Sequence, residues 1–525
     1  MAPRRDSATV ATPFVAPADA GRPPGGPPMS PLTDVSPSSD GASPPAGAAP
    51  PAARPKLKRS MGLWMATALV VGNMVGSGVF LLPSSLAATA GPMSILAWIF
   101  TGAGAMLLAL VFANLGRAFP RTGGPYAYAR RAFGDFIGFQ TAWGYWIAVW
   151  AGNAAIAVAF VGYLAVFWPA LGDHNLLAAL VGIAAIWLLT LANILGAREG
   201  GAVQVATTVL KFVPLAIIGI IGLFFIKGGN YTPFAPHGHS LSLFSTTAAL
   251  TLWAFIGLES ATVPAEEVRD PEKTIPRATM LGTGLTAMLY LLATVAIMGV
   301  LPTGELANST SPFADAAGSI FGGGWGKVVA AIAMVSSFGA LNGWILLQGR
   351  VPLAAAEDGL FPKRFANVHG KRRTPVFGLV VSSILVTVLM LMNYTKGLVD
   401  QFNFIILLAT LTTLVPYAYS AAAQVYLAIK EPDQFRGRRF ARDSVIALLA
   451  FAYSVWAIAG SGQEIIAKGF VLLMAGIPVY LFLVWRRDKD QGDDAPAEVG
   501  VIADLPQAVA AADVEPTVTR GEVTA

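Results

Sequence analysis

Two ionisable residues, Glu259 and Lys211, stand inside long apolar stretches of this sequence. An acid near the middle of a hydrocarbon-spanning segment is costly to bury and is by default a functional-site candidate, either as a gate hydrogen-bond partner or as a proton site. Lys211 has two readings. It can be a desolvated amine that loses its proton and couples transport to protons, or a lysine that snorkels to the interface. Near Glu259 the run Trp253-Ala254-Phe255-Ile256-Gly257-Leu258-Glu259 interrupts an apolar stretch, and Gly72-Asn73-Met74-Val75-Gly76-Ser77-Gly78 interrupts another. Unwound backbone at membrane depth survives only where it lines a cavity. A broken helix offers amides and a positive dipole end to an anion, and freed carbonyls to a cation. The α-carboxylate and α-ammonium of an amino acid match that pair, with Ser77 and Gly78 facing the carboxylate and carbonyls near Met74 and Ile256 taking the ammonium.

Aromatic and amide residues lie deep in two further stretches: Tyr145, Trp146, Trp150 and Asn153 in one, Asn342 and Trp344 in the other. A tryptophan face binds cations, and Asn153 is a neutral polar contact for a guanidinium or amine. Aromatics in membrane helices also serve as core or interface-belt residues.

The elements that must position these groups follow from composition. Of 525 residues 55% are hydrophobic and only 12% charged, about half the charged share of a soluble protein. The apolar residues fall in blocks long enough to cross about 30 Å of hydrocarbon. We count about twelve, near 63–89, 92–119, 138–171, 176–195, 201–226, 243–266, 275–301, 323–353, 375–392, 399–430, 444–460 and 467–485. The expected fold is all-α and integral to the membrane. The two interrupted spans sit five apart, the signature of a five-plus-five inverted repeat with broken first and sixth helices. Connecting segments alternate in charge. One set holds Arg54, Arg59, Arg117, Arg121, Arg130, Arg131, Arg269, Lys273, Lys363, Arg364, Arg436, Arg438, Arg486 and Arg487, among others; the other set holds only Lys227, Lys327, Lys396 and Lys468. By the positive-inside rule both termini are cytoplasmic, in a multi-pass bacterial inner (plasma) membrane protein.

Residues 1–59 are rich in Pro, Ala, Ser and Gly and are expected to be a disordered tail; 60–487 form the transporter domain, and 488–525 form a second, acidic disordered tail. Arg4 and Arg5 precede no apolar region, so no cleaved leader is expected. The chain contains no cysteine and four histidines, which leaves no disulfide framework, thiol nucleophile or convincing metal site. No cofactor and no nucleic-acid partner is implied; the net charge of +5 sits beside apolar spans as a topology signal.

The run from Gly72 to Pro83 resembles the first-span signature of the amino acid–polyamine–organocation superfamily. Gly123 to Arg131 (GGPYAYARR), Leu252 to Ser260 (LWAFIGLES), Ala356 to Pro362 (AEDGLFP) and Leu414 to Tyr417 (LVPY) narrow it to the basic amino acid/polyamine antiporters, and within them to those exchanging arginine for agmatine. The resemblance covers about 63–485. It implies twelve helices, a homodimer, and roles matched by motif. Asn73, Met74, Ser77 and Gly78 match positions holding the α-amino and α-carboxylate groups. Trp253 matches the tryptophan covering the substrate, Ile256 the adjoining break, Trp344 the aromatic stacked on the guanidinium, Asn153 the amide beside it, and Tyr145 another pocket aromatic. Tyr126, Glu259 and Tyr417 match the inner gate. Three positions depart from the arginine pattern: Ala254 and Ala409 stand where it has serine, and Lys211 replaces a small apolar residue.

The function implied is exchange of a basic amino acid for its decarboxylated amine by alternating access. Proton-coupled uptake of another, perhaps neutral, amino acid is the rival. A signalling receptor without transport is disfavoured by the lack of any substantial folded domain outside the spans, an enzyme by the lack of a nucleophile–base arrangement, and a channel by the two broken helices.

Overall fold

A computed structural model describes residues 59, 61–76, 80–121, 123–195, 211–212, 215–369, 374–435 and 440–491. Ser77, Gly78 and both proposed tails up to residue 58 and from 492 lie outside the described residues.

Among the described residues the chain is helical, and nine helices are long and apolar enough to cross a membrane. They are Gly91–Ala118, Asp135–Leu164, Asn175–Leu195, Pro271–Val300, Gly323–Glu357, Val376–Asn393, Leu398–Lys430, Phe440–Gly460 and Gln463–Arg487. Three shorter apolar helices, Leu63–Met74, Leu215–Phe225 and Leu241–Trp253, fall where spans one, five and six were expected. Spans one and six are short because they break, as their glycines indicated. The last helix continues to Gln491, four residues into the segment expected to be a disordered tail.

The packing pairs repeat with a five-span offset. Span two packs on seven, three on eight and four on nine; one packs on seven as six packs on two, and three packs on nine as four packs on eight. Each of these relations maps onto itself or its partner when spans one to five are exchanged for six to ten, which is the pattern an internal repeat imposes on its own interface. Lipid offers no hydrophobic drive for helices to associate, so close approach rests on small residues. A Cβ on Gly282 would stand 2.6 Å from Val70, and one on Gly104 2.4 Å from the Tyr453 ring. Span three is the most enclosed of these nine helices, with 89% of an 18-residue stretch buried; it is the axis on which the site is hung.

The basic segments meet on one face. There Arg131 forks onto Glu431 (2.6 and 3.1 Å), Arg130 pairs with Asp135 (2.9 Å) and Asp358 (3.3 Å), and Arg487 reaches Asp135 (3.4 Å). On the same face Met61, just before span one, exchanges backbone hydrogen bonds with Glu267 and Arg269, just after the sixth span.

Candidate functional site

We label the two broken helices α1 (Leu63–Met74) and α2 (Leu241–Trp253), and the three unbroken helices around them α3 (Asp135–Leu164), α4 (Gly323–Glu357) and α5 (Leu398–Lys430). α1 ends because Gly72 and Gly76 weaken the helix; its last amides close on nearby carbonyls, Val75 N–H to Val71 (2.7 Å) and Gly76 N–H to Met74 (2.9 Å). Helical bonding resumes at Leu82, with Pro83 in the first turn.

The sixth span unwinds differently. Beyond Trp253 the chain proceeds by turns closed over three residues, such as Ile256 N–H to Trp253 (3.1 Å) and Ser260 N–H to Gly257 (3.0 Å). Gly257 adopts φ +108°, in the region that favours glycine. A Cβ there would lie 3.1 Å from the Asn73 Cβ and 3.2 Å from its carbonyl carbon. The two breaks therefore touch at Gly257. Beside that contact Asn73 Nδ2 donates to Ser260 Oγ at 2.7 Å.

Glu259, fully buried, holds the junction to two other helices. Its Oε1 accepts from Tyr145 of α3 (2.7 Å), and its Oε2 accepts from Tyr417 of α5 (2.5 Å) and from the Gly257 amide (3.1 Å). Hydrogen bonds to a charged group contribute about 1.5–3 kcal/mol each, so three donors offset much of what burying a carboxylate costs. Tyr126, the third residue matched to the inner gate, is not part of this group. It lies on a short helix (Pro125–Phe133) at the basic face, donates to Asp358 Oδ2 (2.7 Å) and accepts from Arg130 (3.2 Å). Burial, and then Asp358, push its phenol above the usual range. The residues matched to the inner gate thus divide into two layers.

Trp253, Trp344, Tyr145, Ile256 and Gly152 enclose a cavity of about 10 Å³, room for about one water. In this conformation the cavity is closed, and anything larger than a water requires the indoles to separate. Gly152 is a residue the sequence reading missed: a Cβ on it would stand 2.8 Å from the edge of the Trp253 indole. A glycine directly before Asn153 in an apolar span was the available signal. A larger cavity of about 840 Å³ lies on the face opposite the basic one, lined by loop residues including Asn230, Thr303, Asn308 and Asp400, and it contains none of the candidate residues.

Asn153 does not line the small cavity. Its Nδ2 donates to Gln348 Oε1 (2.7 Å), one turn along α4 from Trp344, and Gln348 donates in turn to Ser383 (2.8 Å). The Asn153 Oδ1 is buried without a hydrogen-bond partner, as is the Thr410 hydroxyl beside Ala409. Met74 is fully buried at the end of α1. Lys211 is buried rather than snorkelled, 4% exposed, and its Nζ stands 3.2 Å from where a Cβ on Gly76 would lie. The amine is therefore placed at the α1 break.

Two broken helices in contact beside a closed, aromatic-lined cavity, inside a repeat of five-span units, define a secondary transporter of the inverted-repeat class. The chain belongs to the amino acid permease family, whose sequence profile matches residues 61–483. Within it the chain falls among the basic amino acid/polyamine antiporters. It is 36% identical to a putative arginine/ornithine antiporter of Bacillus subtilis (82% of this chain, 99% of the relative). It is 34% identical to a putrescine transporter of Escherichia coli (80% and 95%) and 33% identical to a cadaverine/lysine antiporter of the same species (84% and 98%). Among solved structures it resembles a manganese transporter of Eremococcus coleocola (TM-score 0.54, 12% identity, 82% of this chain and 98% of that one), a likeness of fold alone.

Proposed function

We propose that this protein exchanges a basic amino acid for its decarboxylated amine by alternating access, with arginine and agmatine as the leading pair. The observation that carries the reading is the cavity bounded by Trp253 and Trp344 beside the Gly257–Asn73 contact of the two broken helices. Its aromatic faces suit a cationic side chain, while the breaks suit the α-amino and α-carboxylate groups. The relatives support the solute class, since their names specify arginine, ornithine, putrescine, lysine and cadaverine. Arginine entering and agmatine leaving would export one positive charge per cycle. The clustering of arginines on one face supports an inner-membrane protein with both termini cytoplasmic. Glu259, bonded to Tyr145 and Tyr417, then closes the path on the cytoplasmic side, and the Tyr126–Asp358 pair closes a second layer beyond it.

The test is radiolabelled arginine uptake into proteoliposomes preloaded with agmatine, ornithine, a neutral amino acid or nothing. Uptake that requires a cationic load supports the exchange; equal uptake from every load overturns it. Lys211 favours a second reading, proton-coupled uptake, because its amine stands at the α1 break. That reading expects uptake to follow an imposed pH gradient irrespective of load, and Lys211→Met to abolish the dependence.

A further inference from the structure

A cavity of about 600 Å³ opens on the basic face between the turn Lys363–Ala366 and the end of the last helix. Four cations line it: Lys363 and Arg364 from the turn, Arg486 and Arg487 from the helix. The rest of its wall is largely apolar, formed by Phe361, Phe482 and Leu483. We propose that this pocket binds one anionic glycerophospholipid, its phosphodiester held by the cations and its acyl chains lying along Phe482 and Leu483.

Three observations carry this. First, cations that only set topology repel one another and spread into water, whereas here four converge on one concavity from segments about 120 residues apart in sequence. Arg487 reaches an acid, Asp135 at 3.4 Å, but that carboxylate is shared with Arg130 at 2.9 Å. Arg364, Arg486 and Arg487 line the same concavity, and arginine forks match phosphate oxygens. Second, the wall is amphipathic in the direction a lipid requires. Phe482 is 51% exposed and Trp485, one turn on, 60% exposed, so the helix leaves the hydrocarbon beside the pocket, where tryptophans mark the interface. A soluble phosphate would make no use of the apolar wall. Third, basic pockets between helix ends on the positively charged side of a membrane protein are where anionic headgroups gather.

The full-length protein, purified in detergent, is examined by native mass spectrometry with phosphatidylglycerol, phosphatidylcholine or inorganic phosphate added. The triple variant Lys363→Gln, Arg364→Gln, Arg486→Gln leaves the Arg487–Asp135 pair in place. Each basic side chain near an anionic surface is worth about five-fold in affinity, so the triple variant is expected to retain phosphatidylglycerol about a hundred-fold less well than the parent. Phe482→Ala is expected to weaken phosphatidylglycerol without changing phosphate binding. Equal retention of phosphatidylcholine by the parent, or undiminished phosphatidylglycerol in the triple variant, overturns the proposal. Displacement of the lipid by millimolar inorganic phosphate would reduce the site to a phosphate site. A rise in lipid retention when Asp493, Asp494 and Glu498 are changed to amides would support the site and make the chain's acidic tail a competitor for it.

Discussion

The side-chain amide of Asn73 donates to the hydroxyl of Ser260 at 2.7 Å, joining two residues 187 positions apart, each placed at the break of a membrane helix. The bond couples the halves of the repeat where substrate groups are expected to sit, so any movement that opens one break pulls on the other. Ser260→Ala removes the acceptor of a part-buried hydrogen bond, a loss of about 0.5–1.5 kcal/mol. The expected outcome is an exchange rate lowered by up to about ten-fold, with unchanged protein yield and a lower melting temperature in detergent. An unchanged rate would place the coupling elsewhere.

Glu259 is held by two phenols and one amide, and the phenols come from different helices. Removing one donor should cost about 1.5–3 kcal/mol of the closed conformation. Tyr417→Phe and Tyr145→Phe are each expected to slow exchange about ten-fold or more. Because both act on one carboxylate, the double variant should fall short of the sum of the single effects. Strict additivity, measured as initial exchange rates in proteoliposomes, would show that the phenols act separately.

The positions of the breaks were legible because glycine and asparagine in an apolar run have few structural uses. The division of the gate was not. Tyr126 and Glu259 sit in separate motifs, and only the backbone path after the sixth-span break decides that Glu259 turns toward Tyr145 and Tyr417 while Tyr126 stays with Asp358. Asn153 was legible as a deep polar residue, but its partner Gln348 was not, because pairing across helices leaves no periodicity in either one. The Lys211 ammonium could be placed at the break or at the interface from sequence alone, since a lysine stem reaches either way; packing against Gly76 places it at the break.

Gly257 has two reasons to be glycine, its φ of +108° and the close approach of Asn73. Gly152 has one, the edge of Trp253 at 2.8 Å from the position of an added Cβ. The two substitutions should therefore differ. Gly257→Ala is strained whatever the side chains do and is expected to abolish transport and lower thermal stability sharply. Gly152→Ala can be relieved by rotating Trp253, at about 1–3 kcal/mol. It should keep the protein folded, weaken substrate binding and alter tryptophan fluorescence. A Gly152→Ala protein with native fluorescence and affinity would show that the indole does not depend on this contact.

The outer layer of the gate can be tested by access, since the chain has no cysteine and an introduced one is labelled without background. Tyr126 and Arg130 both contact Asp358, which bridges the short helix Pro125–Phe133 to the end of α4. Asp358→Asn keeps the shape and removes the charge that holds Arg130. With a single cysteine at Ser260, labelling by a membrane-impermeant thiol reagent from the basic face is expected to rise severalfold in the Asp358→Asn background. Unchanged labelling would mean that the Glu259 layer closes the path alone.

Trp344 separates the cationic reading from its rival. Its indole lines the cavity with Trp253, and Gln348, one turn further along the helix, is engaged by Asn153. If the indole face holds a cationic side chain, Trp344→Phe keeps part of the attraction and Trp344→Ala loses it; a cation–π contact is worth about 2 kcal/mol when desolvated, or about thirty-fold in affinity. Binding of arginine and agmatine, measured by scintillation proximity, should fall in that order, while any binding of a neutral amino acid should fall much less. Asn153→Ala should follow the cationic loss only if its amide leaves Gln348 for the ligand, and otherwise lower stability alone. Equal losses for cationic and neutral solutes in Trp344→Ala would make the indole a packing residue and shift the weight to Lys211 and proton coupling.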